Sequence, residues 1–203
     1  MNNLLLIGNG GHAISCIDVI EVENKYKIIG IVSKENEVEN KKILYPNVGT
    51  DEDLKKLFEK TKNAFIGIGF IKNSEIRLKI FNNLKSIGFD LPTIVSPNSY
   101  IAKSSKINEG TILMHKSIIN SEVKIGSNCI INTGSIIEHE VIIGDNVHVS
   151  TSTVINGAVQ VGSGSFIGSN SVIQEGVKIG DNCIVAAGSY LRKDLSSGST
   201  FFK

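Results

Sequence analysis

From Ile101 to Leu191 an aliphatic residue recurs every six positions without a break, running Ile101, Ile107, Leu113, Ile119 and onward through Ile137, Ile155 and Ile173. An α-helix turns once in about 3.6 residues and cannot hold a six-residue stripe on one face. A chain that turns a corner every six residues can. Four positions after each member of the stripe, as far as Val185, stands a small or β-branched residue such as Ser117, Val123, Cys129 or Ser135, which marks a second inward column. Gly126, Gly144, Gly162 and Gly180 repeat every eighteen residues, marking a corner that excludes a side chain. The pattern predicts a triangular parallel β-helix of about five coils, with equivalent residues stacked about 4.8 Å apart.

Residues before this stripe follow another rhythm. Leu4-Leu5-Leu6-Ile7, Lys27 to Val32 and Ala64 to Ile68 read as buried parallel strands. Helices are expected over 11–22, 51–60 and 74–85. The turn Gly8-Asn9-Gly10-Gly11-His12-Ala13 satisfies G-x-G-x-x-A between a strand and a helix, where backbone N–H groups and the helix dipole favour phosphate. A dinucleotide site also wants an acid at the end of the second strand, and Val32-Ser33-Lys34 stands there instead, which argues against NAD. Three strands suit one nucleoside diphosphate, while His12 reads equally well as a packing residue. The chain divides into an α/β unit, 1–95, and a coiled unit, 96–203.

Composition narrows the partners. With 21 Lys+Arg against 20 Asp+Glu, no electrostatic footprint for nucleic acid or an anionic membrane is expected. Cys16, Cys129 and Cys183 form no CxxC pair, and an odd count argues against a secreted disulfide framework. A cytoplasmic protein without a signal peptide or membrane span is the expectation. No cluster has metal-ligand spacing, so no metal is expected.

His139 lies two residues past Ile137, off the inward columns and between Glu138 and Glu140. A neighbouring carboxylate fixes an imidazole's tautomer and suits it to general-base work, though a surface histidine between solvated acids has the same sequence. The segments Gly8-x-Gly10-Gly11-His12, Ile68-Gly69 with Asn73-Ser74-Glu75-Ile76-Arg77, and Asn132-Thr133-Gly134-Ser135-Ile136-Ile137-Glu138-His139-Glu140 together resemble the PglD/NeuD-type bacterial sugar acetyltransferases of the hexapeptide-repeat superfamily. The resemblance covers nearly the whole chain. It implies a Rossmann-like half domain followed by a left-handed parallel β-helix, assembled as a homotrimer with active sites between subunits. It implies acetyl-CoA as co-substrate and N-acetylation of the 4-amino group of a nucleotide-linked amino-deoxy sugar in bacterial glycan synthesis. O-acetylation of a sialic- or legionaminic-type acid is the alternative, and a non-catalytic sugar-binding scaffold a remoter one.

Carried onto this sequence, the resemblance makes His139 the base and Glu140 its tuning acid. It places His148, Gly157, Ser169 and Ala187 along the CoA groove, with an outward structural role the other reading of His148. Gly10, Gly11, His12, Ser33 and Asn73 fall to the substrate, whose nucleotide, UDP, GDP or CMP, stays open. His115 has only a structural role to recommend it.

Overall fold

The computed structural model describes residues 1–34 and 42–202. In its N-terminal part β1 (Asn2–Ile7), β2 (Tyr26–Val32), β3 (Asn47–Gly49) and β4 (Asn63–Ile66) form one parallel sheet in the order β3-β2-β1-β4. The unbroken apolar run of β1 reflects burial on both faces. Leu4 and Leu6 pack with Ala13, Cys16, Val19 and Ile20 of α1 (Gly11–Glu23), whereas Leu5 and Ile7 pack with Leu54 and Leu57 of α2 (Leu54–Leu57) and Leu84 of α3 (Glu75–Ile87).

Three details depart from the pattern-based expectation. β3 is a three-residue edge strand too short to leave a periodic signal, and it docks because Gly30 leaves room for Val48. The helix expected over 51–60 is a 3-10 turn, Asp51–Asp53, closed by a reciprocal Thr50–Asp53 capping box and followed by the single helical turn of α2. β4 ends at Ile66, so Gly67 to Phe70 form a loop.

The C-terminal part is a coil of two-residue rungs on three faces. Face one runs from Ile94–Val95 through Ile130–Ile131 and His148–Val149 to Thr200–Phe201. Face two runs from Tyr100–Ile101 to Tyr190–Leu191, and face three from Lys106–Ile107 to Lys178–Ile179. Rungs pair in parallel with partners eighteen residues away, as Ile136 with Val154, except that Ile184 pairs with Thr200. Coiling therefore starts one rung before the aliphatic stripe.

Stripe members from Leu113 to Leu191 are at most 3% exposed and form one core. The second inward column explains its hydroxyls: Thr111, Ser135, Thr153, Ser165 and Ser171 donate to the carbonyls of Gly126, Ser150, Gly168, Gly180 and Ala186, each fifteen residues on. At these five positions a small donor is satisfied where a larger polar group would not fit, whereas the buried Ser117 hydroxyl of the same column finds no partner. The eighteen-residue glycine series is steric, since a methyl at Gly126 would stand 2.6 Å from the carbonyl of Gly144. A further column has left-handed backbone at every sixth residue, including Lys116, Glu122, Asn128, Gly134, Glu140 and Asn146. Its mixed side chains hid it from the sequence pattern.

The α/β part covers face one. Ile94, Ile112 and Ile130, which project outward from that face, are fully buried against the α1 cluster. Arg77 of α3, 1% exposed, fastens the junction by donating to the carbonyls of Ile66 and Ile68 (both 2.7 Å) on one side and Asn128 (3.2 Å) on the other. His115 adds a second tie, lying 2.6 Å from both Ser96 Oγ and the Asp18 carboxylate of α1.

Candidate active site

Chain order in the parallel sheet reverses direction at β1, with β2 on one side and β4 on the other, and the crevice at the carboxyl ends of such strands is the usual ligand position. A cavity of about 740 Å³ lies there. Its walls come mainly from the segments that follow the strands, Gly8 to His12 after β1, Val32 to Lys34 after β2, and Gly67 to Ile71 after β4, with Asp51, His148 and, from α3, Ile76 and Ile80 completing them. Gly8 has φ +102°, and a side chain there would also collide with Ile68. Methyls on Gly10 and Gly11 would meet nothing, so these two residues face open space at the start of α1. Ser33 lines the cavity, its hydroxyl held by the Asn47 amide at 2.9 Å. Asn73 is not among the lining residues; its side-chain oxygen accepts the Glu75 N–H at 2.7 Å and begins α3.

His12 turns inward, with Nε2 enclosed and lacking a hydrogen-bond partner. Burial, then the Arg77 charge and His148, push its imidazole down to about 3, so it is neutral near pH 7. His148 is 7% exposed and belongs to the junction rather than to an outward surface. Its Nδ1–H donates to the Phe70 carbonyl at 2.7 Å, which leaves Nε2 to accept from the Asn132 amide at 3.3 Å. Burial lowers it to about 4; the Phe70 carbonyl opposes that shift and Arg77 adds to it. Two neutral imidazoles, 6.4 Å apart between centroids, therefore face the cavity. Lys34, Asp51 and Phe70 were not singled out by the sequence, because nothing in their local pattern distinguishes them from ordinary loop residues.

His139 occupies a different place. It sits at the corner between faces two and three, half-exposed, with Nδ1 3.2 Å from a Glu140 carboxylate oxygen. Its ring lies directly over Gly157, one coil on, where an added methyl would stand 2.5 Å from Cε1 and 2.7 Å from Nε2. His139, Glu140 and Gly157 are thus brought together. Glu138 is drawn aside by the Asn120 amide at 2.9 Å. Ser169 and Ala187 lie at the corner between faces one and two, the former bonded through its hydroxyl to Ser150 at 2.8 Å. Within one copy, face two separates the His139 corner from the corner carrying Ser169, and beyond it from the cavity.

The thiols are buried, and burial pushes Cys16 and Cys129 up to about 12, far from a reactive thiolate. Among the described residues no group of His, Cys, Asp and Glu is arranged to hold a metal ion, and no helix is long and apolar enough to cross a membrane.

Residues 3–84 match the PglD N-terminal domain, and residues 158–193 match the bacterial transferase hexapeptide family of six repeats. The chain is a PglD-like hexapeptide-repeat acetyltransferase. The coil is accordingly the left-handed β-helix. A solved mutant of perosamine N-acetyltransferase from Caulobacter crescentus, in complex with CoA and GDP-perosamine, is 28% identical, with a TM-score of 0.91 over 98% of this chain and 93% of that one. PerB from Caulobacter crescentus, also with CoA and GDP-perosamine, is 29% identical over 97% and 92%, with a TM-score of 0.89. The acetyltransferase domain of PglB from Neisseria gonorrhoeae, in complex with acetyl coenzyme A, shares the fold at 24% identity and a TM-score of 0.89, covering 98% and 96%. No curated protein matches.

Proposed function

We propose that this chain transfers an acetyl group from acetyl-CoA to the 4-amino group of a nucleotide-linked amino-deoxy sugar in bacterial glycan synthesis, as a cytoplasmic homotrimer whose active sites lie between subunits. The observation that carries the reading is the pairing of a phosphate-suited cavity at the sheet's switch point with a solvent-facing histidine–carboxylate pair at a β-helix corner. Residues 1–95 hold the nucleotide sugar and residues 96–203 the acyl donor. The full-length likeness to two structures holding CoA and GDP-perosamine supports a GDP-linked acceptor, in keeping with Val32-Ser33 where an acid would suit uridine.

Each residue then has a task. Open N–H groups beside Gly10 and Gly11 take the diphosphate, His12 Nε2 reaches a sugar or phosphate oxygen, and Ser33 meets the nucleoside. Asn73 acts at one remove, by fixing the start of α3 behind the Ile68 loop. His139, oriented by Glu140, removes a proton from the sugar amine as nitrogen attacks the thioester carbonyl. A C–N bond forms, the C–S bond breaks, and the proton passes to the departing thiolate, with no acyl-enzyme. The Gly157 N–H, which finds no acceptor among the described residues, stabilises the oxyanion. Ser169, Ala187 and the Asn132–His148 pair belong to the neighbouring copy's side of the groove.

Association is supported by the outward side chains of face two. Tyr100, Ile118, Ile136, Val154, Val172 and Tyr190 are all apolar, and Tyr100 and Tyr190 remain more than half exposed. Face three carries Lys106, Lys124, Ile142, Gln160 and Lys178 in the corresponding column, four polar side chains out of five, and face one is already covered. Face two is therefore the surface that another copy covers. Thiol release from acetyl-CoA, followed with GDP-, UDP- and CMP-linked 4-amino sugars and with free sialic-type acids, tests the reading. Turnover with a nucleotide-linked 4-amino sugar supports it, and turnover with a nonulosonic acid alone replaces it with O-acetylation.

A further inference from the structure

Two charged side chains of the cavity wall have no task in the transfer chemistry. Lys34 and Asp51 are the charged residues among those lining it, both are exposed, and neither enters an ion pair among the described residues. They stand at the β2–β3 end, whereas Phe70, Ile71, Ile76 and Ile80 make the opposite end apolar. Asp51 is presented on a firm support. The Thr50 N–H donates to the Asp53 carboxylate at 2.9 Å, and Gly49, with φ +156°, makes room for that carboxylate where a methyl would stand 2.8 Å from it.

Strand order sets a scale for what these residues can reach. The diphosphate turn follows β1, Ser33 follows β2 and Asp51 follows β3, each strand about 4.8 Å from the last. Ser33 stands where nucleotide-binding sheets address the ribose. Its oxygen accepts from the Asn47 amide, whose own oxygen is held by the Gly49 N–H at 3.1 Å, so the Ser33 O–H is left to donate. Asp51 lies one strand further, about 10 Å from the turn. From the α-phosphorus to the far edge of a purine there are about ten bonds, at most roughly 12 Å at ~1.2 Å per bond. The carboxylate therefore falls at the base, beyond the ribose.

A carboxylate offers acceptors only, and an ammonium offers donors only. Guanine alone among the common bases carries an acceptor, O6, followed by two adjacent donors, N1–H and the N2 amino group. Uracil sets its single N3–H between two carbonyls, one of which would face a carboxylate oxygen. Cytosine and adenine place a bare ring nitrogen beside their amino group.

We infer that Asp51 is the residue that selects guanine, accepting from N1–H and the N2 amino group together while Lys34 donates to O6. The inference rests on the reading of residues 1–95 as a nucleotide-sugar site.

Calorimetry with GDP, IDP and UDP tests it, because inosine is guanosine without the N2 amino group. The wild type should bind GDP about tenfold more tightly than IDP and about 100-fold more tightly than UDP, the range of a bidentate base contact. Asp51→Ala should bring the GDP-to-IDP ratio to about one while leaving UDP binding and the melting temperature unchanged. Lys34→Ala should weaken GDP and IDP by the same factor, since both carry O6, and so preserve their ratio. Equal affinity of the wild type for GDP and IDP, or an Asp51→Ala variant that keeps the wild-type ratio, would overturn the inference while leaving nucleotide binding intact. An equal loss for all three nucleotides in Asp51→Ala would overturn it too, by assigning the carboxylate to the ribose. A wild type that binds none of them would bring down the nucleotide-sugar reading and the base contact with it.

Discussion

Gly157 decides how His139 is held. The imidazole occupies the volume a methyl would need, so Gly157→Ala is expected to tilt the ring away from the groove and lower kcat by tenfold or more, with trimer assembly and melting temperature unchanged. His139→Ala should lower kcat by about 10²- to 10⁴-fold, the range of a lost general base, while CoA still binds in calorimetry. Glu140 has left-handed backbone at φ +61°, a costly conformation for a bulky residue. The same geometry recurs at Glu122 and Lys116, so it belongs to the corner and not to catalysis. The outward placement of His139 and Glu140 was legible in the sequence because the six-residue register shows which residues leave the core. The buried setting of His148 was not. Its register gives only an outward direction, and what lies outward is Phe70, a residue 78 positions away in another part of the chain.

At the scale of elements, the junction between the α/β sheet and face one governs stability. Arg77 supplies donors to buried carbonyls from both parts, and its replacement by methionine leaves them unsatisfied. Arg77→Met is expected to cost about 3 kcal/mol or more in chemical denaturation, against near-neutral effects for exposed lysines of α3. The two depressed histidines make the same junction pH-sensitive. In the unfolded chain they protonate near 6.5, but in the fold only near 4 for His148 and 3 for His12. Their contribution is therefore complete above about pH 6.5 and is lost as pH falls toward those values. Within that window each costs about 1.4 kcal/mol per pH unit. Denaturation midpoints measured between pH 7.5 and 5 should fall accordingly, and His148→Gln should flatten the slope by about half. Strand β1, helix α1 and every rung from Ile101 to Leu191 were readable from the hydrophobic pattern, whereas the last rung, Thr200–Phe201, breaks the register. β3, the short α2 and the junction were not, since they depend on fits such as Gly30 against Val48 and on long-range hydrogen bonds from Arg77.

For the whole molecule, the sequence indicated both halves, but the relation between them appears only in three dimensions. One copy places its cavity beside face one and its His139 at the far edge of face two, so the proposed function requires a sugar in the cavity to meet His139 of a neighbouring copy. Ile118→Lys with Val172→Lys, two charges on the apolar column, should yield a folded monomer by analytical ultracentrifugation and reduce turnover to background. The shared site is tested most directly by co-expressing two inactive variants with different tags and assaying the purified mixed trimers. His139→Ala keeps an intact cavity, and Gly11→Asp keeps an intact base while placing a negative charge in unfilled space at the diphosphate turn. Each alone should be inactive, and mixed trimers should recover a substantial part of wild-type acetyl transfer. Mixed trimers as inactive as their parents would contradict a site built from two copies.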